Sequence, residues 1–285
     1  MTAMKNLKKA VKVTKEQVCA CFNLTRDAYY KYLKRYNSRL REDEKVLKLV
    51  RQRRKELPRE GVRKLHQGLQ KEFMENQLKI GRDKLFNLLR KNNMLVKPKR
   101  SFTRTTNSYH HFHRYSNLIK NITPTGPNQV WVSDITYVRL VRGFCYMALI
   151  TDVYSRKIVG YDISDSLELA GCLRALKKAL RHARPAGGLI HHSDRGVQYC
   201  SRQYVNLLTK NKIKISMTEE DHCYENAIAE RVNGILKDEF FIDQTFCDLD
   251  IAKKACKNAI FVYNTKRLHL SLGYKTPESM FKIRA

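Results

Sequence analysis

Apolar and polar positions follow two periods along this chain, and the change comes near residue 129. Ahead of it the spacing is helical. Thr14 reads as an N-cap with Gln17 three residues on, the interval of a capping box. Val18, Phe22 and Leu24 mark a short helix and its exit, Asn23-Leu24-Thr25 a turn, and residues 26–35 a second helix. Val46, Leu49, Val50 and Leu57 form the stripe of a charged helix over 42–57, closed by Pro58. Residues 61–69 and 80–90 read as two further helices. Past 129 the pattern predicts strands over 129–141, 144–151, 158–163, 188–192 and 213–217, with Arg142-Gly143 as a hairpin signal. Helices over 167–182 and 201–211 alternate with the later strands, and a further helix carries Glu230. That order suits an α/β sheet with helices on both faces.

Charge adds a partner to this picture. The net charge is +29, and residues 1–123 hold 32 Lys/Arg against 10 Asp/Glu, whereas 124–285 hold 24 against 17. So positive a field favours a polyanion. No apolar run approaches the ~18 residues of a spanning helix, and no lipidation motif is present. The expected partner is nucleic acid, held through phosphate contacts and counterion release, with no membrane and with most of the affinity in 1–123. The candidate contacts are Arg26, Lys31, Lys34 and Arg35 on the second helix, Arg63, Arg82, Lys84 and Arg90 on the later ones, Lys97, Lys99 and Arg100 around the head of the linker, and Lys237. A helix studded with Arg, Lys and Tyr suits a helix-turn-helix in a major groove. The other reading is a basic helix pair that only packs on its neighbour.

Cysteine usage and the first residues bear on the compartment. The eight cysteines form no C-x-x-C pair, which points to reduced, mostly buried thiols in a cytosol. His110, His111 and His113 lack the cysteine pair of a zinc knuckle. The opening residues have no apolar signal-peptide core.

Three acids carry the candidate chemistry. Asp134 lies in Trp131-Val-Ser-Asp134-Ile-Thr-Tyr137, an apolar β-rich run where Asp is depleted. Asp194 lies in His191-His-Ser-Asp194-Arg-Gly-Val-Gln-Tyr199, and Glu230 closes Tyr224-Glu-Asn-Ala-Ile-Ala-Glu230, with 35 residues between the two. Three acids brought together raise one another's pKa unless a cation neutralises them. A few hard oxygen ligands suit Mg²⁺, which keeps waters and completes its shell with substrate phosphate. Two such ions clamp the attacking and leaving oxygens of an in-line displacement at phosphorus. At helical spacing Asn226, Glu230, Asn233 and Lys237 share one face, and Ile228, Val232, Ile235 and Leu236 the opposite one. The apolar side can then pack on the sheet while Glu230 faces the site. His192, Asn226 and Asn233 are candidates to support the acids by hydrogen bonds, although for His191 and His192 a packed strand position is the stronger reading. Asp152 reads as turn chemistry, Asp162 and Asp165 as structural, Asp221 as a cap near the Glu230 helix, and Trp131 as a core anchor.

At these residues the chain resembles transposases of the DDE type, relatives of retroviral integrases, and among them the insertion sequence three family. The resemblance runs through Asn128-Gln-Val-Trp-Val-Ser-Asp134-Ile-Thr-Tyr137, Ile150-Thr-Asp-Val-Tyr-Ser-Arg-Lys157, His192-Ser-Asp194-Arg-Gly196, and then Tyr263-Asn264, Arg267-Leu-His269, Leu272-Gly-Tyr274 and Thr276-Pro277. It spans residues 124–281, with a weaker likeness over 14–98. It implies an RNase H-like catalytic core over 128–285, ending in a helix and tail. An all-α DNA-binding region precedes it: a helix-turn-helix-like segment at 1–38, a second helical module at 40–98 and a basic linker at 99–127. It also implies that Asp134, Asp194 and Glu230 are a metal-binding catalytic triad using two Mg²⁺ ions, for which Mn²⁺ can substitute. The implied reaction is cleavage of transposon ends and strand transfer into target DNA by a homo-oligomer, in the cytoplasm of a prokaryotic cell at the nucleoid. The active protein of this family is usually a fusion of two reading frames. The upstream one brings a further helix-turn-helix and a leucine zipper. This chain has its own Met1 and no heptad zipper, so it resembles the downstream product and the upstream product is an expected partner. Two other functions fit parts of the sequence: an RNase H-type nuclease that does not join, and a non-catalytic DNA-binding regulator on a degraded core.

Overall fold

The computed structural model describes residues 14–97, 113, 115–183, 185, 187–219 and 226–283. Lys99, Arg100, His110, His111 and Asp221 lie outside the described residues. The chain forms two units, one of residues 1–52 with Leu69–Met94, the other of Arg53–Gly68 with residues 95–285.

Helices alone build the described part of the first unit. Helix α1 (Lys15–Cys21) starts at the expected capping box: the Gln17 amide donates to Thr14 Oγ1 at 3.3 Å and the Thr14 amide to Gln17 Oε1 at 2.9 Å. Asn23, at φ 50°, turns the chain, and Thr25 Oγ1 accepts from the Ala28 amide as the next helix begins. The spacing predicts two helices next, over 26–35 and 42–57. They are one continuous helix of 29 residues, α2 (Arg26–Arg54). Neither Gly nor Pro interrupts Arg26–Arg54, so nothing breaks the ladder and the polar stretch in the middle is simply solvated. Only Val46, Leu47 and Val50 of this helix are buried. Helix α3 (Val62–Gly68) belongs to the second unit, and α4 (Gln70–Glu75), which the pattern does not predict, to the first. Helix α5 (Arg82–Lys91) buries Leu85, Leu88 and Leu89.

The second unit is a five-stranded mixed sheet in the order β3-β2-β1-β4-β5. Its strands are β1 (Val130–Arg139), β2 (Phe144–Asp152), β3 (Ile158–Ser164), β4 (Ile190–Ser193) and β5 (Lys214–Met217). Strands β1, β2 and β3 pair antiparallel, and β1–β4 and β4–β5 pair parallel. Successive side chains face opposite sides. Ala148 and Ile150 therefore join Trp131, Leu176, Tyr204 and Met217 in one core, while Met147 and Leu149 join Val232, Leu236, Ile260 and Tyr263 in another. Helices α6 (Leu169–Ala183), α7 (Val197–Cys200) and α8 (Arg202–Lys210) cover the first face; α9 (Ala227–Glu239) and α10 (Leu249–Thr265) cover the second. Gly160 lets α6 approach closely, since a Cβ there would collide with the Ala175 carbonyl and Ala179. Helix α11 (Pro277–Lys282) ends the described chain. Among the described residues no helix is long and apolar enough to cross a membrane.

Residues 53–68 are held to this unit by charge. Lys64 reaches Glu239 at 3.1 Å and Lys266 reaches Glu56 at 2.6 Å, while Arg53 and Glu60 pair within the segment at 2.6 and 3.1 Å.

Candidate active site

Strand pairing brings two of the acids side by side. Strands β1 and β4 run parallel with Ser133 opposite Ser193, so Asp134 and Asp194, the next residue of each, leave neighbouring strands at one level. Asp134 Oδ1 accepts from the Ile135 amide at 2.9 Å, and Oδ2 from Asn233 Nδ2 at 2.7 Å. Asp194 Oδ1 accepts from the Gly196 amide at 3.0 Å, and a Cβ at Gly196 would press on that same oxygen.

The helix α9 delivers the third acid. Val232, Ile235 and Leu236 are buried in the second core, as the spacing predicts. Asn226 and Asn233 are buried too, and each anchors the helix to β1: Asn226 Nδ2 donates to the Ser133 carbonyl at 3.1 Å, and Asn233 to Asp134. Glu230 is exposed between them, and its charge reaches Asp134. Lys237 is half-buried further along; burial pulls its pKa down while Asp134 and Asp243 pull it up.

Electrostatics make Asp134 the unusual member. Burial first, and then the charge of Asp194, push its pKa up to about 7; the Asn233 and Ile135 bonds oppose this, and Glu230 adds a smaller upward push. A carboxylate so placed calls for a cation. Among the described residues no three His, Cys, Asp or Glu side chains converge as a ready cage for a metal ion. The donor set nonetheless fits a hard ion that takes much of its shell from water and phosphate. Buried amide oxygens Asn226 Oδ1 and Asn233 Oδ1, both without a hydrogen-bond partner, belong to the same side chains that meet Ser133 and Asp134.

Behind the strands His191, read from the sequence as a packed strand histidine, has polar partners that the sequence did not give. His191 Nε2 meets Ser133 Oγ at 2.7 Å and Tyr204 hydroxyl at 3.0 Å, cross-linking β1, β4 and α8 next to both aspartates. Burial pushes the His191 pKa down to about 3, so the ring is neutral at physiological pH. Only the adjacency of Ser133 and His191 to the two acids hinted at this. His192 turns the other way, its Nδ1 meeting Ser216 Oγ on β5 at 2.8 Å. Asp152 holds a turn, accepting from the Ser155 amide, the Ser155 hydroxyl and the Asn128 amide. Asp162 is tied to Arg174 and Ser164, and Trp131 is fully buried. Five of the seven described cysteines are buried.

The basic candidates are spread over both units. Arg26, Lys31, Lys34 and Arg35 are exposed on α2, where Arg26 pairs with Glu16 and Lys31 with Asp27. Arg82, Lys84 and Arg90 are exposed on α5, with Arg82 paired to Asp83 and Arg90 over the Phe86 ring. Arg63 and Lys97 are exposed in the second unit.

A mixed sheet with this strand order, with one aspartate on β1 and a second just past the end of the parallel β4, defines a core of the retroviral integrase type. Residues 124–223 match the integrase core domain model, and 211–277 match a second model of the same description. The simian T-cell lymphotropic virus intasome, in complex with PP2A regulatory subunit B56 gamma, contains a chain that superposes with a TM-score of 0.50. The overlap covers 73% of this chain and 69% of that one at 18% identity, a likeness of fold. The insertion element IS600 uncharacterized 31 kDa protein of Shigella sonnei is 38% identical over 91% of this chain and 96% of its own length. Transposase InsF for insertion sequence IS3A of Escherichia coli (strain K12) is 32% identical over 67% of each. The chain belongs to the insertion sequence three family of DDE transposases, and its α/β sheet is the RNase H-like core of that family.

Proposed function

We propose that Asp134, Asp194 and Glu230 are the catalytic triad of a transposase that cuts its element's ends and joins them to target DNA. The carrying observation is the parallel register that sets Asp134 beside Asp194, with Asn233 fastening the Glu230 helix onto Asp134 at 2.7 Å. The three carboxylates would hold two Mg²⁺ ions, with Mn²⁺ as a substitute; bound, these supply charge neutralisation and Lewis-acid polarisation at phosphate. Asn233 and the Ile135 amide orient the Asp134 carboxylate, and the Gly196 amide orients Asp194. Lys237, on which the Asp134 charge acts, would take a non-bridging phosphate oxygen. In cleavage a water oxygen forms the new P–O bond and the DNA oxygen opposite leaves. In joining, a DNA 3′-hydroxyl attacks in the same way.

DNA binding follows from the same reading. The basic residues of α2 and α5, with Arg63, Lys97, Lys99 and Arg100, would neutralise backbone phosphates; of the expected modules at 1–38 and 40–98 and linker at 99–127, the two modules share the continuous helix α2, and 53–68 belong with the core unit. Synapsis of two ends implies a homo-oligomer, and the upstream-frame product is the partner that would supply end recognition. The setting is a prokaryotic cytoplasm. The experiment is a joining assay: a pre-cut end duplex, a supercoiled plasmid and Mg²⁺. Covalent joining supports the transposase; nicking without joining returns the chain to the nuclease class.

A further inference from the structure

Ser133 joins the three elements that carry the acids. It precedes Asp134 on β1, and its carbonyl accepts at 3.1 Å from Asn226, the N-cap of the Glu230 helix. Its hydroxyl lies 2.7 Å from Nε2 of His191 on β4, and the same nitrogen meets the Tyr204 hydroxyl of α8 at 3.0 Å. All three residues are buried. The Tyr204 ring also packs edge-on, with the His191 ring at 5.4 Å and the Tyr199 ring at 5.3 Å. Tyr199 sits on α7, whose N-cap is Gly196, the residue whose amide holds Asp194 Oδ1. The network thus runs from the residue before Asp134 to the helix that follows Asp194.

The ladder between the two aspartates is short. Strands β1 and β4 pair over Val130–Ser133 and Ile190–Ser193, and Asp194 lies one step past the last pair. A strand advances about 3.3 Å per residue. A slide of β4 along β1 by a small part of one step therefore exceeds the ~0.5 Å within which a functional constellation must be held. The Ser133–His191 bond is placed to resist such a slide. In register Ser133 stands opposite Ser193, and His191 lies two residues back, so the bond runs diagonally between the strands. A diagonal link must lengthen or shorten as the strands shear, whereas one running straight across hardly changes. Tyr204 and Tyr199 hold the His191 ring from the helical layer.

We propose that Ser133, His191 and Tyr204 are positioning residues that fix the shear between β1 and β4, and with it the separation of Asp134 and Asp194 on which affinity for a divalent cation depends. This rests on the proposed triad and adds what holds two of its members at metal-binding distance.

The test is Mn²⁺ binding by the full DNA-free chain, read from the electron paramagnetic resonance signal of the free ion, with metal-free melts by circular dichroism alongside. Ser133→Ala and Tyr204→Phe each remove one hydroxyl. Each should weaken Mn²⁺ binding by about tenfold at temperatures where the variant is folded, the lower end of the effect of groups behind metal ligands. Ser133→Thr, which keeps the hydroxyl, should bind as the parent does. Parental Mn²⁺ affinity in the two hydroxyl deletions overturns the proposal. A lower melting temperature with unchanged affinity overturns it as well, by reducing the cluster to packing. If Ser133→Ala does not fold, Tyr204→Phe decides alone, since its ring still packs on His191. Asp134→Asn separates the two readings. Mn²⁺ binding that survives it removes the triad, and this inference with it; binding lost there but kept in the hydroxyl deletions removes this inference only.

Discussion

Asn233 donates to Asp134 across 99 residues of sequence, at 2.7 Å, and with the Asn226 bond to the Ser133 carbonyl it ties the helix bearing Glu230 to the strand bearing Asp134. It also works against the burial and the Asp194 charge that raise the Asp134 pKa. One amide therefore bears on both the position of the third acid and the ionisation of the first.

Asp134→Asn, Asp194→Asn and Glu230→Gln should each abolish cleavage and joining while leaving folding and metal-free DNA binding intact. Each removes an anionic oxygen from a crowded set, so thermal stability should stay level or rise. Gel assays in Mg²⁺ with melting controls check this. Near-parental cleavage by any one variant removes that residue from the triad.

The raised Asp134 pKa has a pH signature in the metal-free chain. The folded state holds its proton up to about 7, the unfolded chain only to about 3.8. Stability from this group is full below 3.8 and is lost as pH rises towards 7. Buried His191 and His269 act oppositely, because their neutral forms lose stability as pH falls below 6.5. The difference between parent and Asp134→Asn isolates the carboxyl: the variant should gain on the parent as pH climbs from 4 to about 8. Denaturant midpoints measured at matched pH would show it, and parallel curves would refute it.

Glu239→Gln should destabilise the fold by about 3–5 kcal/mol, since it strands a buried Arg267 without its counter-charge. Lys64→Met should cost much less, because Arg267 keeps the carboxylate and burial with Arg267 already disfavours the Lys64 charge. Urea unfolding distinguishes them. Equal losses would mean that Lys64, not Arg267, is the main partner of Glu239.

Fusing the upstream-frame product should raise the ratio of end binding to random-DNA binding by well over tenfold, the scale of specific against non-specific recognition. Phosphate contacts position a protein but do not read sequence. Band shifts at fixed salt provide the comparison. If the chain alone already prefers its ends by about a thousandfold, residues 14–36 are the reader and the two-frame view fails.

Local pattern carried most of the fold. Alternation placed the five strands within a few residues, and the 3.6-residue spacing of Val232, Ile235 and Leu236 gave α9 its buried face. The same wheel put Asn226 and Asn233 on the side that meets β1. The helices expected over 26–35 and 42–57 are one, because the stretch between them holds no Gly or Pro and polarity alone does not stop a helix. The Ser133–His191–Tyr204 cluster and the Lys64–Glu239 pair were illegible for another reason. Their partners stand 58, 13 and 175 residues apart, and no local spacing encodes which distant polar groups will meet.

Residues 53–68 bear on how this molecule can be divided. They lie within the basic first third of the sequence, yet Lys64 and Glu56 close ion pairs with Glu239 and Lys266 of the catalytic unit. A cut at residue 123 leaves Glu239 without one of its two cations and Lys266 without its acid. A polypeptide starting at 124 would therefore be a damaged core, and weak binding or low activity from it would say little about the arm it lacks. Along the sequence the arm and the core are interleaved, and no single scission returns either one whole.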